Sequence, residues 1–211
     1  MRRFFYLLPA LSAVAVFLVL YLTNLGPNQP SEAATQNVSL STTVQEYLSF
    51  SLTAGSTVAF SNLTPGTPIA APSGGTVASI TTNDANGYTL GVSDSQTTTN
   101  SCLEHTDLAT YIADYAGTIT TPTTWTSTGL GITLYAADTT KESKWGTGTT
   151  YNDTNNKYAG IPQAATTAHT VTGYHSGADT SSWAFKVDVP NTQKTGSYSG
   201  SMTFTATGVL S

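Results

Sequence analysis

Near its C-terminal end the chain exchanges apolar and polar residues at every step. Trp183, Phe185, Val187 and Val189 alternate with Ala184, Lys186 and Asp188, and Tyr198, Gly200, Met202, Phe204 and Ala206 alternate with Ser199, Ser201, Thr203 and Thr205. A period of two places each set on its own face of an extended chain, so these runs are strands with one buried and one wet side. The pattern returns at residues 46–53, with Leu48, Phe50 and Leu52 inward, at 57–60, at 87–93 with Tyr88, Leu90 and Val92 inward, and at 130–136 with Leu130, Ile132 and Leu134 inward. Fainter versions occur at 38–42, 76–82 and 169–174.

Turn-forming residues separate these runs: Thr64-Pro65-Gly66-Thr67-Pro68, Ser73-Gly74-Gly75, Asn83-Asp84-Ala85-Asn86-Gly87 and the stretch from Pro190 to Gly196. Pro fixes φ, while Gly and Asn reach positive φ. Strands with one polar face describe an antiparallel sheet, because a parallel sheet would be apolar on both sides. The expected fold is all-β: an antiparallel β-sandwich whose first and last strands flank a long, loop-rich excursion at about 94–168. Within the excursion Leu103, Leu108, Ile112 and Tyr115 have roughly helical spacing, yet Tyr111-Ile112-Ala113 also suits an extended chain, and the sequence leaves the choice open.

Composition decides what covers the outer faces. From Ala34 onward the 178 residues include 40 Thr and 20 Ser, but 5 Lys, no Arg and 11 Asp or Glu, for a net charge of -6. Binding to nucleic acid or to an anionic membrane surface needs phosphate-neutralising positive charge, and this balance excludes both. A Thr/Ser-rich chain also raises the picture of a disordered glycosylated stalk. The same stretch keeps three Trp, four Phe and nine Tyr among alternating aliphatics, enough apolar surface to offset ordering entropy.

Arg2 and Arg3 precede an uncharged run at 4–25, and Gly26, Pro27 and Pro30 then lead to Ser31-Glu32-Ala33, a small-x-small cleavage pattern. Residues 1–33 are therefore expected to be a signal peptide, forming an apolar export helix. The run is also long enough to stay in the membrane as a signal anchor. Both versions place residues 34–211, read as one domain, outside the cytoplasm: secreted or at the cell surface. No sorting signal or apolar tail follows Leu210, which speaks against covalent wall attachment.

Few residues suggest chemistry. Cys102 cannot form an internal disulfide alone and is expected to be a small buried side chain. His105, His169 and His175 together with Cys102, Glu104 or Asp107 do not make the four-ligand spacing of a structural zinc site, so neither a metal nor a catalytic residue is assigned, and no cofactor is implied. The Asn83-Asp84-Ala85-Asn86-Gly87 turn lacks the ligand alternation of a calcium loop. Three Asn-x-Ser/Thr sequons begin at Asn37, Asn62 and Asn152. The stretch from Trp145 to Pro162 sets Trp145, Tyr151 and Tyr158 among Asn, Asp, Thr and Gly. It reads either as a sugar-binding loop with these three aromatics as stacking ligands, or as a plug at the edge of the sheets.

Three segments, Leu48-Ser-Phe-Ser-Leu leading to Leu63-Thr-Pro-Gly-Thr, Thr82-Asn-Asp-Ala-Asn-Gly-Tyr-Thr-Leu, and Val189-Pro with Gly196-Ser-Tyr-Ser-Gly-Ser-Met-Thr-Phe-Thr, resemble exported bacterial surface proteins built from Thr/Ser-rich β-sandwiches. The last is similar to the closing hairpin of WxL-type cell-wall proteins, although neither Trp125-Thr-Ser nor Trp183-Ala-Phe completes Trp-x-Leu, so wall binding does not carry over. The resemblance implies a surface location. The expected function is a non-enzymatic structural, assembly or adhesion role, with other surface proteins as partners. The alternatives are a module binding cell-wall glycan through the aromatic loop and, more weakly, an extracellular hydrolase. Assembly requires a pairable edge, for which residues 38–42 and 202–207 are the candidates.

Overall fold

The computed structural model describes residues 35–71, 75–95 and 101–209. The export segment 1–33, and with it the expected apolar helix, lies outside the described residues, as do Ser73 and Gly74 of one expected turn. Chain contacts divide the protein into Met1–Thr43 and Val44–Ser211. In the first unit, described residues 35–43 are exposed and carry no regular structure. The strand expected at 38–42 is thus absent there: an extended chain becomes a strand only when a neighbour supplies the ladder of hydrogen bonds.

The second unit is all-β, with several antiparallel sheets. Its strands are β1 (Leu48–Ala54), β2 (Ile69–Ala70), β3 (Thr76–Thr82), β4 (Gly87–Asp94), β5 (Leu103–His105), β6 (Tyr111–Ile112) and β7 (Thr123–Thr124). They are followed by β8 (Gly129–Ala137), β9 (Lys157–Tyr158), β10 (Thr166–Thr172), β11 (Ala178–Asp188), β12 (Tyr198–Ser199) and β13 (Met202–Gly208). One 3-10 turn, Ser143–Trp145, lies between β8 and β9.

The largest sheet is organised by β11. It pairs with β3 through residues 178–183 and with β8 through residues 181–188. Lys186 and Val187 also pair with β2, which must therefore lie on the β3 side of β11. β1 is added outside β3. A second sheet runs β10-β4-β13, with β4 in the centre. Two small sheets, β12-β5-β6 and β7-β9, come from the excursion and the final segment.

The alternation works as expected in the central strands. Tyr88, Leu90 and Val92 of β4, Leu130, Ile132 and Leu134 of β8, and Trp183, Phe185 and Val187 of β11 are all buried in one hydrophobic cluster, and Phe204 of β13 joins them. Trp183 and Phe204, on different large sheets, meet at 5.5 Å between ring centroids. Tyr88 on the second sheet donates its hydroxyl to Asp179 Oδ2 on the first at 2.8 Å. Burial and that carboxylate push the Tyr88 phenol well above its ordinary pKa. Outward positions such as Ser49, Ser51, Thr203, Thr205 and Thr207 are exposed, so hydroxyls cover those faces.

Three local expectations change. Residues 57–60 form no strand: Gly55 takes φ +66° against the Gly75 carbonyl and turns the chain out of the sheet, while Val58 and Phe60 still pack on the core. The helical spacing at 103–116 resolves as the β5–β6 hairpin. Leu108 sits in the turn at φ 56°, and Asp107 accepts the backbone N–H of Ala109 and Thr110. The run 198–206 is broken in two at Gly200, where a Cβ would lie 1.5 Å from the Cys102 carbonyl oxygen. That close approach sends β12 to β5 and β13 to β4. The excursion is also more integral than expected, since it contains β8, a full member of the largest sheet.

Candidate functional site

The aromatic loop was the first candidate, and its residues go elsewhere. Trp145 is fully buried, edge-on to Trp183 at 5.6 Å, and its indole N–H donates to the Ala168 carbonyl at 3.1 Å. Tyr158 is buried as well, whereas Tyr151 is half-buried. As a three-residue stacking platform the expectation is corrected: two of its three rings are core, because the apolar face of an indole or phenol gains more from close packing than from water. The amides and carboxylates that seemed suited to sugar hydroxyls fold the loop itself. Asp153 accepts the N–H of Thr149 and Asn155, and the Asn156 amide donates to the Thr150 carbonyl.

Trp125, half-exposed, carries the only other indole, and its ring is engaged too. Tyr115 stacks on it at 4.4 Å, and the Lys186 ammonium stands 5.2 Å from the ring centre. The Trp125 ring also lies over Gly131 of β8, where a Cβ would be 3.0 Å from it.

Among the described residues the titratable candidates do not gather into one site; His105 and Asp107 meet at 2.9 Å. Cys102 is buried, its thiol 3.2 Å from the Ser201 carbonyl oxygen, and burial pushes it up to about 12, aided by Asp94 and Asp114. Such a thiol is neutral and not a nucleophile. His105 is buried beside Asp107 and Tyr198, and His175 is half-buried. Among the described residues no three His, Cys, Asp or Glu side chains converge as a metal site would require. The Asn83–Gly87 turn is internal: Asp84 accepts the Asn86 N–H, while Asn83 bonds to the backbone of Gln45 and Tyr47.

Sequence reasoning missed one carboxylate. Asp114 borders a cleft of about 590 Å³ formed with residues 115–120, 160–164 and Thr166. Burial, reinforced by the charge of Asp94, raises its carboxyl to about 7, despite backbone bonds from Ile161 and Cys102. The alternation pattern could not reveal it, because Asp94, Cys102 and Ile161 come from three separate stretches of the chain.

What remains is the state of the sheet edges, where unpaired N–H and C=O groups invite another strand. The outer edge of β8 is closed. Ile132 and Ala159 exchange both backbone bonds, at 2.8 and 3.0 Å, while Leu130 donates to Ala113 and accepts from Tyr115. The edge of β10 is closed by side chains. A register shift between Thr167 and His169 disrupts its ladder; Glu142 Oε1 accepts the Thr170 N–H at 2.8 Å, and Trp145 serves the Ala168 carbonyl. Glu142 Oε2 also accepts from His169 Nδ1 at 2.8 Å. Burial raises the Glu142 pKa, but the His169 bond and charge outweigh it and leave the carboxyl below its ordinary value.

The other two edges differ. Among the described residues β1 pairs only with β3, and β13 only with β4. Neither strand contains a charged residue or a Pro, the usual edge protection. β1 has an irregularity between Leu52 and Ala54, whereas β13 pairs in unbroken register over all seven residues. The two edges approach each other where Leu48 lies beside Gly208. Leu48 and Phe50 of β1 and Met202 and Ala206 of β13 are only partly buried there. Compared with family models, with curated proteins and with solved structures, the chain finds no match.

Proposed function

We propose that the protein is an exported, non-enzymatic component of the cell surface or its surroundings, built as a β-sandwich from the two large sheets and acting in structure, assembly or adhesion. The sandwich reading is supported by the Trp183–Phe204 contact, the Tyr88–Asp179 bond and the single hydrophobic cluster shared by both sheets. The functional reading is carried by one observation: two sheet edges are closed by the protein's own groups, while among the described residues two uncharged edges are left open on one hydroxyl-coated body. Such edges recognise another strand by main-chain bonds, with no need for charge.

The glycan-binding alternative loses the support of Trp145 and Tyr158, which are in the core. The hydrolase alternative has a Glu142–His169 pair to point to, but His169 is fully buried and Glu142 is committed to the β10 edge. Fractionation of intact cells tests the reading. The protein is expected in the medium, the wall or the outward membrane fraction and accessible to added protease; recovery in the cytoplasm overturns it.

A further inference from the structure

The geometry points to a specific use of the open β13 edge: residues 38–44 of a second copy of this chain pair with it as an added strand. This rests on the assembly reading above and names its partner and its segment.

The occupant is argued from three observations. First, residues 38–44 carry no regular structure, and Val38, Leu40 and Val44 are 81%, 92% and 78% exposed. In an extended chain Val38, Leu40 and Val44 at i, i+2 and i+6, with Thr42 at i+4, fall on one face and Ser39, Ser41 and Thr43 on the other, and no described residue covers the apolar side chains. Second, the segment matches the edge. Both are seven residues long and uncharged. When they overlap fully, in parallel or antiparallel sense, Ser41 falls opposite Thr205. Val38, Leu40 and Val44 then share the face of Met202, Phe204, Ala206 and Gly208, joined there by Thr42, while Ser39, Ser41 and Thr43 share the other face with Thr203, Thr205 and Thr207. The phase is correct in both directions, whereas a slip by one residue would put every apolar side chain into water. Third, the joint between the segment and the β1 of its own copy is held at residues 45–47. There Asn83 holds Gln45 and Tyr47 by three hydrogen bonds of 2.6 to 3.2 Å.

A head-to-tail contact of this kind joins different surfaces of two copies, so it leaves a free segment at one end and a free edge at the other and can continue into a chain of copies. The Thr/Ser-rich outer faces would keep such a chain soluble.

The test uses two differently tagged versions of the full protein expressed together in exporting cells, one carrying Ser41→Cys and the other Thr205→Cys. Both positions are exposed, and Cys102 is buried. Mild oxidation is expected to give a disulfide heterodimer carrying both tags, because directly opposed residues in a ladder come within disulfide reach. Adding Leu40→Lys to the donor copy should reduce that product at least tenfold with no change in the Tm of the protein. Absence of the heterodimer from correctly exported, folded protein overturns strand exchange and leaves the surface reading intact. So does a heterodimer insensitive to Leu40→Lys, or a disulfide formed within one chain when both cysteines are placed in it. Retention of both versions in the cytoplasm overturns the surface reading, and the cross-link, formed or not, is then read separately on purified protein.

Discussion

The Trp145 indole N–H reaches the carbonyl of Ala168 at 3.1 Å, and Ala168 is the residue at which β10 slips its register against β4. A buried aromatic thus satisfies a backbone group that the irregular strand leaves open. Trp145→Ala removes the packing on Trp183 and the bond together and should cost about 3–5 kcal/mol. Trp145→Phe keeps much of the packing but leaves the carbonyl unpaired, for about 1–3 kcal/mol. Urea unfolding checks both; a Trp145→Phe variant as stable as the parent would show that the indole N–H contributes nothing.

Glu142 closes the neighbouring part of the same edge. Glu142→Ala strands the Thr170 N–H and the His169 ring, with an expected loss of about 1–3 kcal/mol and faster amide exchange at Thr170. The sign with pH follows from a depressed carboxyl pKa. The stabilisation is present above the ordinary value of 4.5 and is lost as pH falls through the lower folded-state value. The destabilisation by Glu142→Ala should therefore shrink in acid, as melting curves at pH 7 and pH 3 would reveal.

Asp114 behaves in the opposite way. Its carboxyl is raised from 3.8 to about 7, so ionising it opposes folding, and stability should fall as pH rises between about 4 and 7. Asp114→Asn removes that penalty while keeping an acceptor for the Ile161 and Cys102 N–H groups. After allowance for solvent screening of a half-exposed group, the variant should gain roughly 1–2 kcal/mol at pH 8, or about 2–8 °C in Tm, and nothing at pH 4. A gain that is equal at both pH values would mean that charge is not the cause.

Cys102 should be inert in the native protein. With its thiol pushed up to about 12 and its surface covered, a maleimide or disulfide reagent at pH 8 should label it only as fast as the domain opens, and at once in denaturant. Rapid stoichiometric labelling of the folded protein would contradict this.

How far the fold could be read in advance depended on how many partners each residue needed. In β4, β8 and β11 the inward residues are set by period two alone, and Tyr88, Leu90, Ile132 and Trp183 are buried as that pattern requires. It failed where a distant backbone decided the outcome. Gly200 fits the alternation, but the Cys102 carbonyl beside it splits the run into two strands in different sheets. Trp145 could be assigned either to a platform or to a plug, since its sequence neighbours do not reveal that Trp183 lies across from it. Edge closure was hidden for the same reason: Glu142 and Thr170 are 28 residues apart, and no local spacing links a carboxylate to that amide. By contrast, residues 202–207 were legible as an edge candidate, because an uncharged strand with outward Thr advertises its own lack of protection.

The clasp of Asn83 on Gln45 and Tyr47 has a mechanical consequence. It lies at the point where the N-terminal segment enters β1, and β1 continues directly into a ladder with β3 in which six of its residues are paired. Tension drawn along that segment, in line with the strand, loads the clasp first and then the β1–β3 bonds together in shear, not one at a time as in peeling. A body towed by residues 38–44 is therefore gripped through a whole strand at once.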